Sequence, residues 1–208
     1  METKQNMCPS DGTLLIMATN NAHKLQEVRE ILGDAYVVKG LADIGCNEDI
    51  PEDADTLEGN ALQKARYVHE HYGVDCFADD TGLEVDCLNG EPGVYSARYA
   101  GEPKDPVKNV QKLLKELEGV PFARRTARFR CVVALIENGE LTTFEGRCEG
   151  HIALEPQGEL GFGYDPIFVP EGMEKTMAML TLEEKNAISH RGKAMEQLSC
   201  HLLKKVQL

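Results

Sequence analysis

Cys76-Phe77-Ala78-Asp79-Asp80-Thr81-Gly82-Leu83 places two adjacent acids behind a short apolar run, with a glycine before apolar residues resume. The run Cys76-Phe77-Ala78 reads as a strand, and neighbouring side chains of an extended segment point to opposite faces. One carboxylate can therefore face a cleft while the other anchors a loop, with Gly82 letting the backbone turn. Acids at the carboxyl end of an α/β strand lie where such sheets bind ligands, and paired carboxylates suit a hard cation such as Mg²⁺. A solvated turn is the plain alternative, since Asp, Thr and Gly are ordinary turn residues.

Upstream, Leu14 to Ala18 reads as a buried strand and is followed at once by Thr19-Asn20-Asn21-Ala22-His23-Lys24. Leu25, Val28, Ile31 and Leu32 then recur at helical spacing, with Gly33 as the stop. Strand, polar turn and helix N-terminus together make an anion site to which Lys24 adds a full charge. Thr19 or Asn20 acting as an ordinary N-cap is the alternative. Tyr36-Val37-Val38 is a second strand, and the acidic stretch Glu48 to Asp55 is a loop, because Pro51 and close like charges disfavour a helix. From Thr56 a helix runs to Gly73 with Leu57, Ala61, Leu62, Ala65 and Val68 inward. Glu52 and Glu58 flank its start, where a carboxylate can reach a metal or complement the helix dipole. His69 and His71, two apart, face different directions and do not share a metal.

Downstream, Asn89 to Gly101 is a long loop carrying Arg98, which can approach a phosphate or pair with an acid. Val107 to Leu117 gives a third amphipathic helix. Thr126 to Ile136, Asn138-Gly139 and Leu141 to Glu145 form a hairpin with a type I′ turn. Strands alternating with helices, plus this hairpin, predict an α/β fold built on a mixed sheet.

The 208 residues fit one large domain or two lobes around a cleft over 13–208, preceded by a polar tail over 1–12 that is expected to be loose. Seven cysteines, with no Cys-x-x-Cys pair, argue against a zinc knuckle or a secreted disulfide framework and fit a reducing cytoplasm. No apolar run approaches membrane-spanning length. A formal charge of −13 disfavours binding to a nucleic-acid polymer, although a small phosphorylated ligand needs only a local cationic cluster.

Two more segments carry chemistry. Leu160-Gly161-Phe162-Gly163-Tyr164-Asp165-Pro166 is not a dinucleotide fingerprint, because the third glycine is missing and Pro166 blocks a helix. Its glycines permit close backbone approach, and Phe162 or Tyr164 can stack on a base or simply pack on the core. Thr181 with Glu184 makes a capping box for a short helix carrying Lys185, and Ser189-His190-Arg191 precedes a C-terminal helix. Lys185, His190 and Arg191 can together bind phosphate and a purine carbonyl, or can be solvated surface charges.

Each motif is weak singly, but the set in this order resembles one family, the inosine triphosphate (non-standard purine nucleoside triphosphate) pyrophosphatases. The carriers are Thr19-x-Asn21-x-x-Lys24, Thr56-x-x-x-Asn60-Ala61 with Lys64-Ala65, Ala78 to Leu83, Pro92-Gly93-x-x-Ser96-Ala97-Arg98, Phe162 to Phe168 and Ser189-His190-Arg191-Gly192. The resemblance implies an elongated mixed sheet flanked by helices, a homodimer, and Mg²⁺-dependent hydrolysis of ITP, dITP and XTP to monophosphate and pyrophosphate. It implies Asp80 as general base and metal ligand, with Glu52 helping to hold Mg²⁺. It also implies Thr19, Asn20, Asn21, Ala22, His23 and Lys24 around the phosphates beside Thr81. Phe162, Gly163, Tyr164, Asp165, Lys185, His190 and Arg191 would surround base and sugar.

Two departures stand out. The family commonly has Gly at Asn20, where Asn is the next-best residue for a left-handed turn. It often has Glu directly before the matched Asn60, where this chain has Gly59 with Glu58 one step earlier, which leaves the second metal carboxylate open between Glu52 and Glu58. Two other classes share these residues: a Mg²⁺-dependent phosphatase or another nucleotide pyrophosphatase, told apart by the products, and a nucleotide-binding module, which would leave ITP intact.

Overall fold

A computed structural model describes residues 13–206, so the tail expected over 1–12 lies outside the described residues. In chain order the elements are β1 (Thr13–Met17), α1 (Ala22–Leu32), β2 (Tyr36–Lys39), α2 (Leu57–Tyr72), β3 (Cys76–Val85), β4 (Pro92–Gly93), α3 (Pro106–Glu116), β5 (Thr126–Glu137), β6 (Glu140–Ile152), β7 (Phe168–Pro170), α4 (Leu182–Ile188) and α5 (His190–Val206). They form the expected mixed sheet, ordered β2-β1-β3-β5-β6-β7, with β4 paired to β3. Pairs β2–β1 and β1–β3 are parallel, and the rest of the sheet is antiparallel.

Alternation along the central strands dictates the layers. Met17, Phe77 and Val133 point toward Val28 of α1 and Leu198 of α5. Their neighbours Ile16, Ala78 and Val132 point the other way, onto Ala61, Ala65 and Val68 of α2. Beyond them a third cluster joins Leu83, Leu113, Phe129, Ile152 and Phe168. Each such large apolar side chain contributes about 1.5–3 kcal/mol on burial, which keeps the register from slipping by one residue.

Two features differ from the sequence reading. Asp79 to Gly82 is not a turn: it lies inside the ten-residue strand β3, where Asp79 pairs with Val133, Asp80 with Val132 and Gly82 with Arg130 of β5. Gly82 is required by a close approach, since a Cβ there would sit 2.6 Å from the Gly93 carbonyl oxygen of β4. The hairpin turn holds as expected, with φ of 52° at Asn138 and 78° at Gly139, but β6 continues to Ile152, well past Glu145. Gly146 and Gly150 conceal that continuation, because glycine is a poor strand former.

Candidate active site

The two acids of β3, being neighbours on a strand, look to opposite faces, and each organises a different set of cations. Asp79 is almost wholly buried beneath α1 and α5. Asp80 opens toward α2, into a cleft of about 940 Å³ that also receives Thr19, Asn20, Asn21, His23 and Lys24. Ala22 does not line it and instead begins α1. Asn21, rather than Thr19 or Asn20, caps that helix: its Oδ1 accepts the amides of His23 at 3.0 Å and Lys24 at 3.2 Å. Thr19 Oγ1 accepts the Asn21 amide at 3.1 Å. Asn20 is not left-handed, since among described non-glycine residues only Asn89 and Asn138 have positive φ. Lys24 reaches back across the strand to Asp79, with Nζ 3.1 Å from either carboxylate oxygen.

On the Asp80 side, Asn60 of α2 donates to Oδ2 at 3.0 Å and the Thr81 amide donates to Oδ1 at 3.0 Å. Lys64 Nζ sits among three oxygens: Glu52 Oε1 at 2.6 Å, the Asp79 carbonyl at 2.7 Å and Asp80 Oδ1 at 3.8 Å. Burial pushes the Asp80 carboxyl up, and although Lys64, Lys24 and Asn60 oppose it, the pKa ends above the usual carboxylate value. For Asp79, one residue away, burial is outweighed by Lys24, Arg191 and Lys64, and the pKa ends well below that value. Burial also raises Glu52, but Lys64 wins and the group is lowered. Among the described residues Arg98 pairs with no acid: it donates to the Glu52 carbonyl at 3.1 Å and so holds the acidic loop over the cleft. Glu58 does not line the cleft, and its half-exposed side chain lies 4.0 Å from Arg130. His69 and His71 each bond a backbone carbonyl, separately, as their spacing predicted.

The opposite wall gathers Phe162, Gly163, Tyr164, Asp165, Lys185, His190 and Arg191. The capping box of Thr181 and Glu184 starts α4 and so aims Lys185 inward. Helix α5 begins at His190, so His190 and Arg191 stand in its first turn rather than ahead of it. Tyr164 donates its hydroxyl to the Ser96 carbonyl at 2.9 Å. Asp165 accepts from the Phe162 amide at 2.8 Å and from Lys185 at 2.7 Å. Lys185 Nζ also lies 4.8 Å from the Phe162 ring centre. His190 stacks on Phe129 with centroids 4.7 Å apart, and its Nδ1 has no partner among the described residues. Burial, with Arg191 and Lys185 nearby, holds its pKa well below the usual histidine value, so it is neutral.

Glu27 of α1 is the residue the motifs left out. Buried, it accepts from Lys185 at 2.6 Å and also bonds Arg191, so one carboxylate ties both cations of the far wall to the helix that carries Lys24. A sequence signal was available, because position 27 is three residues from Lys24 and shares its face. Asn60 and Lys64, carried by the motif on α2, orient Asp80 and Glu52.

The donor set is that of a hard cation. Glu52 and Asp80 offer carboxylate oxygens to one point, and a lysine ammonium already bridges them. Among the described residues no cluster of three or more His, Cys, Asp or Glu side chains could hold a metal alone. Mg²⁺ is commonly bound by one or two carboxylates completed by substrate phosphates and water, and Glu52 and Asp80 are two carboxylates lining the cleft.

The geometry can be set beside known proteins. The model described as the Ham1 family matches residues 15–201. A Porphyromonas gingivalis protein named dITP/XTP pyrophosphatase is 57% identical over 189 residues, which is 91% of this chain and 97% of that protein. A Bacillus subtilis protein of the same name is 53% identical over 186 residues, 88% of this chain and 94% of that one. The solved structure of the Staphylococcus aureus Ham1 protein aligns with a TM-score of 0.83 at 40% identity, over 93% of this chain and all 100% of that one. A family match spanning nearly all the described residues, with relatives this similar along almost their whole length, means that the chain belongs to the Ham1 family, the kinship its ordered motifs indicated.

Proposed function

We propose that this protein hydrolyses the non-standard purine nucleoside triphosphates ITP, dITP and XTP to the monophosphate and pyrophosphate, removing them from the nucleotide pool. The observation that carries the reading is convergence: Asp80 and Lys24, and with them Lys185, His190 and Arg191, open onto one cleft despite lying far apart in sequence. Relatives named dITP/XTP pyrophosphatase support the substrate class.

Asp80 is the general base. Asn60 and the Thr81 amide fix its carboxylate, and burial makes it more basic, so it takes the proton of a water attacking the α-phosphorus. Lys24 and the start of α1 face the phosphates, since this chemistry is mostly positioning plus electrostatics. Glu52 and Asp80 would hold Mg²⁺, which when bound supplies positive charge against the triphosphate. Arg191 and neutral His190 line the purine end of the cleft, and Phe162 offers a stacking surface. A 6-keto oxygen accepts from these donors, whereas the 6-amino group of adenine sets donor against donor. Each buried group left unpaired costs about 1–3 kcal/mol, enough for two of them to separate ITP from ATP by orders of magnitude.

The same reading includes a homodimer and a cytoplasmic setting. Exposed Leu160 and Met179 on adjoining loops support an association surface, and the six free cysteines among the described residues support a reducing compartment. No described helix is long and apolar enough to cross a membrane. Incubation with ITP, GTP and ATP in Mg²⁺, with products separated, tests the function. IMP and pyrophosphate from ITP, with far less turnover of ATP, are expected. Release of orthophosphate would indicate a phosphatase, and intact ITP would indicate a binding module.

A further inference from the structure

Asp79 does not line the cleft, yet its carboxylate is a point at which cations from the two ends of the cleft meet. Lys24, from the phosphate end, lies 3.1 Å from either oxygen. Arg191, from the purine end, offers Nη2 at 3.3 Å and Nε at 3.4 Å to Oδ2, and Thr81 donates its hydroxyl to the same oxygen at 3.2 Å. Charge-assisted N–H···O bonds are ordinarily about 2.7–2.9 Å long. Asp79 is therefore divided between two cations and holds neither closely. The partners differ in freedom: the Lys24 side chain is 14% exposed and borders the cleft, whereas that of Arg191 is 1% exposed.

We propose that Asp79 is a positioning residue that ties purine reading to triphosphate occupancy. This rests on the reading of the cleft as a nucleoside triphosphate site. Phosphate oxygens give Lys24 a stronger anionic partner in the cleft and draw it off Asp79. A buried carboxylate cannot stay half-compensated without large cost, so Arg191 closes on it. Arg191 Nη2 already lies 3.2 Å from Thr81 Oγ1, so this movement brings the guanidinium toward a residue that lines the cleft. A purine carrying a triphosphate then meets an arginine held by both Glu27 and Asp79, while the monophosphate product, with Lys24 returned to Asp79, meets one held closely by Glu27 alone. Linkage requires the effect to be reciprocal, so the base must strengthen phosphate binding by the same factor.

The test separates the two halves of the ligand. Inosine is titrated calorimetrically into the full-length protein in Mg²⁺, with and without saturating inorganic triphosphate. In the wild type the triphosphate is expected to tighten inosine binding by about five- to tenfold, the usual range of such couplings, and the reverse titration should give the same factor. In Asp79→Asn the factor falls to about one. In Lys24→Met, which withdraws the lysine permanently, inosine binds in the tight mode without triphosphate. Should Asp79→Asn fail to fold, Lys24→Met decides alone, since inosine affinity no better than that of the triphosphate-free wild type overturns the proposal. An undiminished factor in folded Asp79→Asn also overturns it, as does a factor of one in wild-type protein that hydrolyses ITP. Failure to hydrolyse ITP together with failure to bind either probe would overturn the nucleotide reading itself.

Discussion

Replacing Glu27 by Gln keeps the shape of the side chain and one acceptor but removes the charge shared by Lys185 and Arg191. Both cations are buried: Lys185 lies 2.6 Å from one Glu27 oxygen, and Arg191 bonds the other. Asp165 at 2.7 Å from Lys185 and Asp79 at 3.3 Å from Arg191 remain as partial compensation. Breaking a buried ion pair by neutralising one partner costs about 3–5 kcal/mol, and these remaining acids place the loss near the lower end, about 3 kcal/mol. For a chain of 208 residues each kcal/mol moves the midpoint by about 2–4 °C, so thermal unfolding should show a Tm lower by about 6–12 °C. Because Arg191 also loses an anchor, the ratio of kcat/KM for ITP over ATP should fall by about tenfold, equivalent to one poorly placed buried donor. A Tm within about 1 °C of the wild type, with the ratio unchanged, would refute the assignment of Glu27 as the tie between the two walls.

Other outcomes follow from the same geometry. Asp80→Asn should fold normally and lose about 10²–10⁴-fold in kcat, read by pyrophosphate release, since it removes a positioned base. Gly82→Ala should lower stability by about 1–3 kcal/mol in chemical denaturation, because its Cβ would meet the Gly93 carbonyl oxygen at 2.6 Å. Asp79 has a folded pKa below its unfolded value of about 3.9, so its contribution to stability is complete above that value and is lost as pH falls through the folded one. The Tm difference between the wild type and Asp79→Asn should therefore hold steady between about pH 6 and 5 and narrow below about pH 4. Chelation of divalent cations should abolish turnover and leave the melting curve in place, because Lys64 already bridges Glu52 and Asp80 in the protein alone.

Most of the architecture was legible because period and punctuation agreed. Leu25, Val28 and Leu32 before Gly33 gave α1, Leu57 to Val68 before Gly73 gave α2, and Asn138-Gly139 gave the hairpin. What escaped depended on distant backbone. Gly82 resembles a turn residue until β4 is laid across it, and the second half of β6 is masked by glycines that seat α5 and β7. The site residues were legible as a set, since their order along the chain is specific even where each motif is weak. That the two acids of β3 face opposite ways was legible from strand alternation, but that Asp79 serves the cations under α1 and α5 rather than a loop shows only in the fold. Glu27, a lone acid next to Val28, reads in the sequence as a helix surface charge, and only the arrival of α4 and α5 makes it a buried counterion.

Hydrolysis of ITP in ¹⁸O-labelled water, with the label located by mass spectrometry, tests the central claim most directly. Attack on the α-phosphorus by a water that Asp80 deprotonates, as proposed, predicts the label wholly in IMP and none in pyrophosphate. Label in pyrophosphate, or in orthophosphate, would place the attack on another phosphorus and contradict the account.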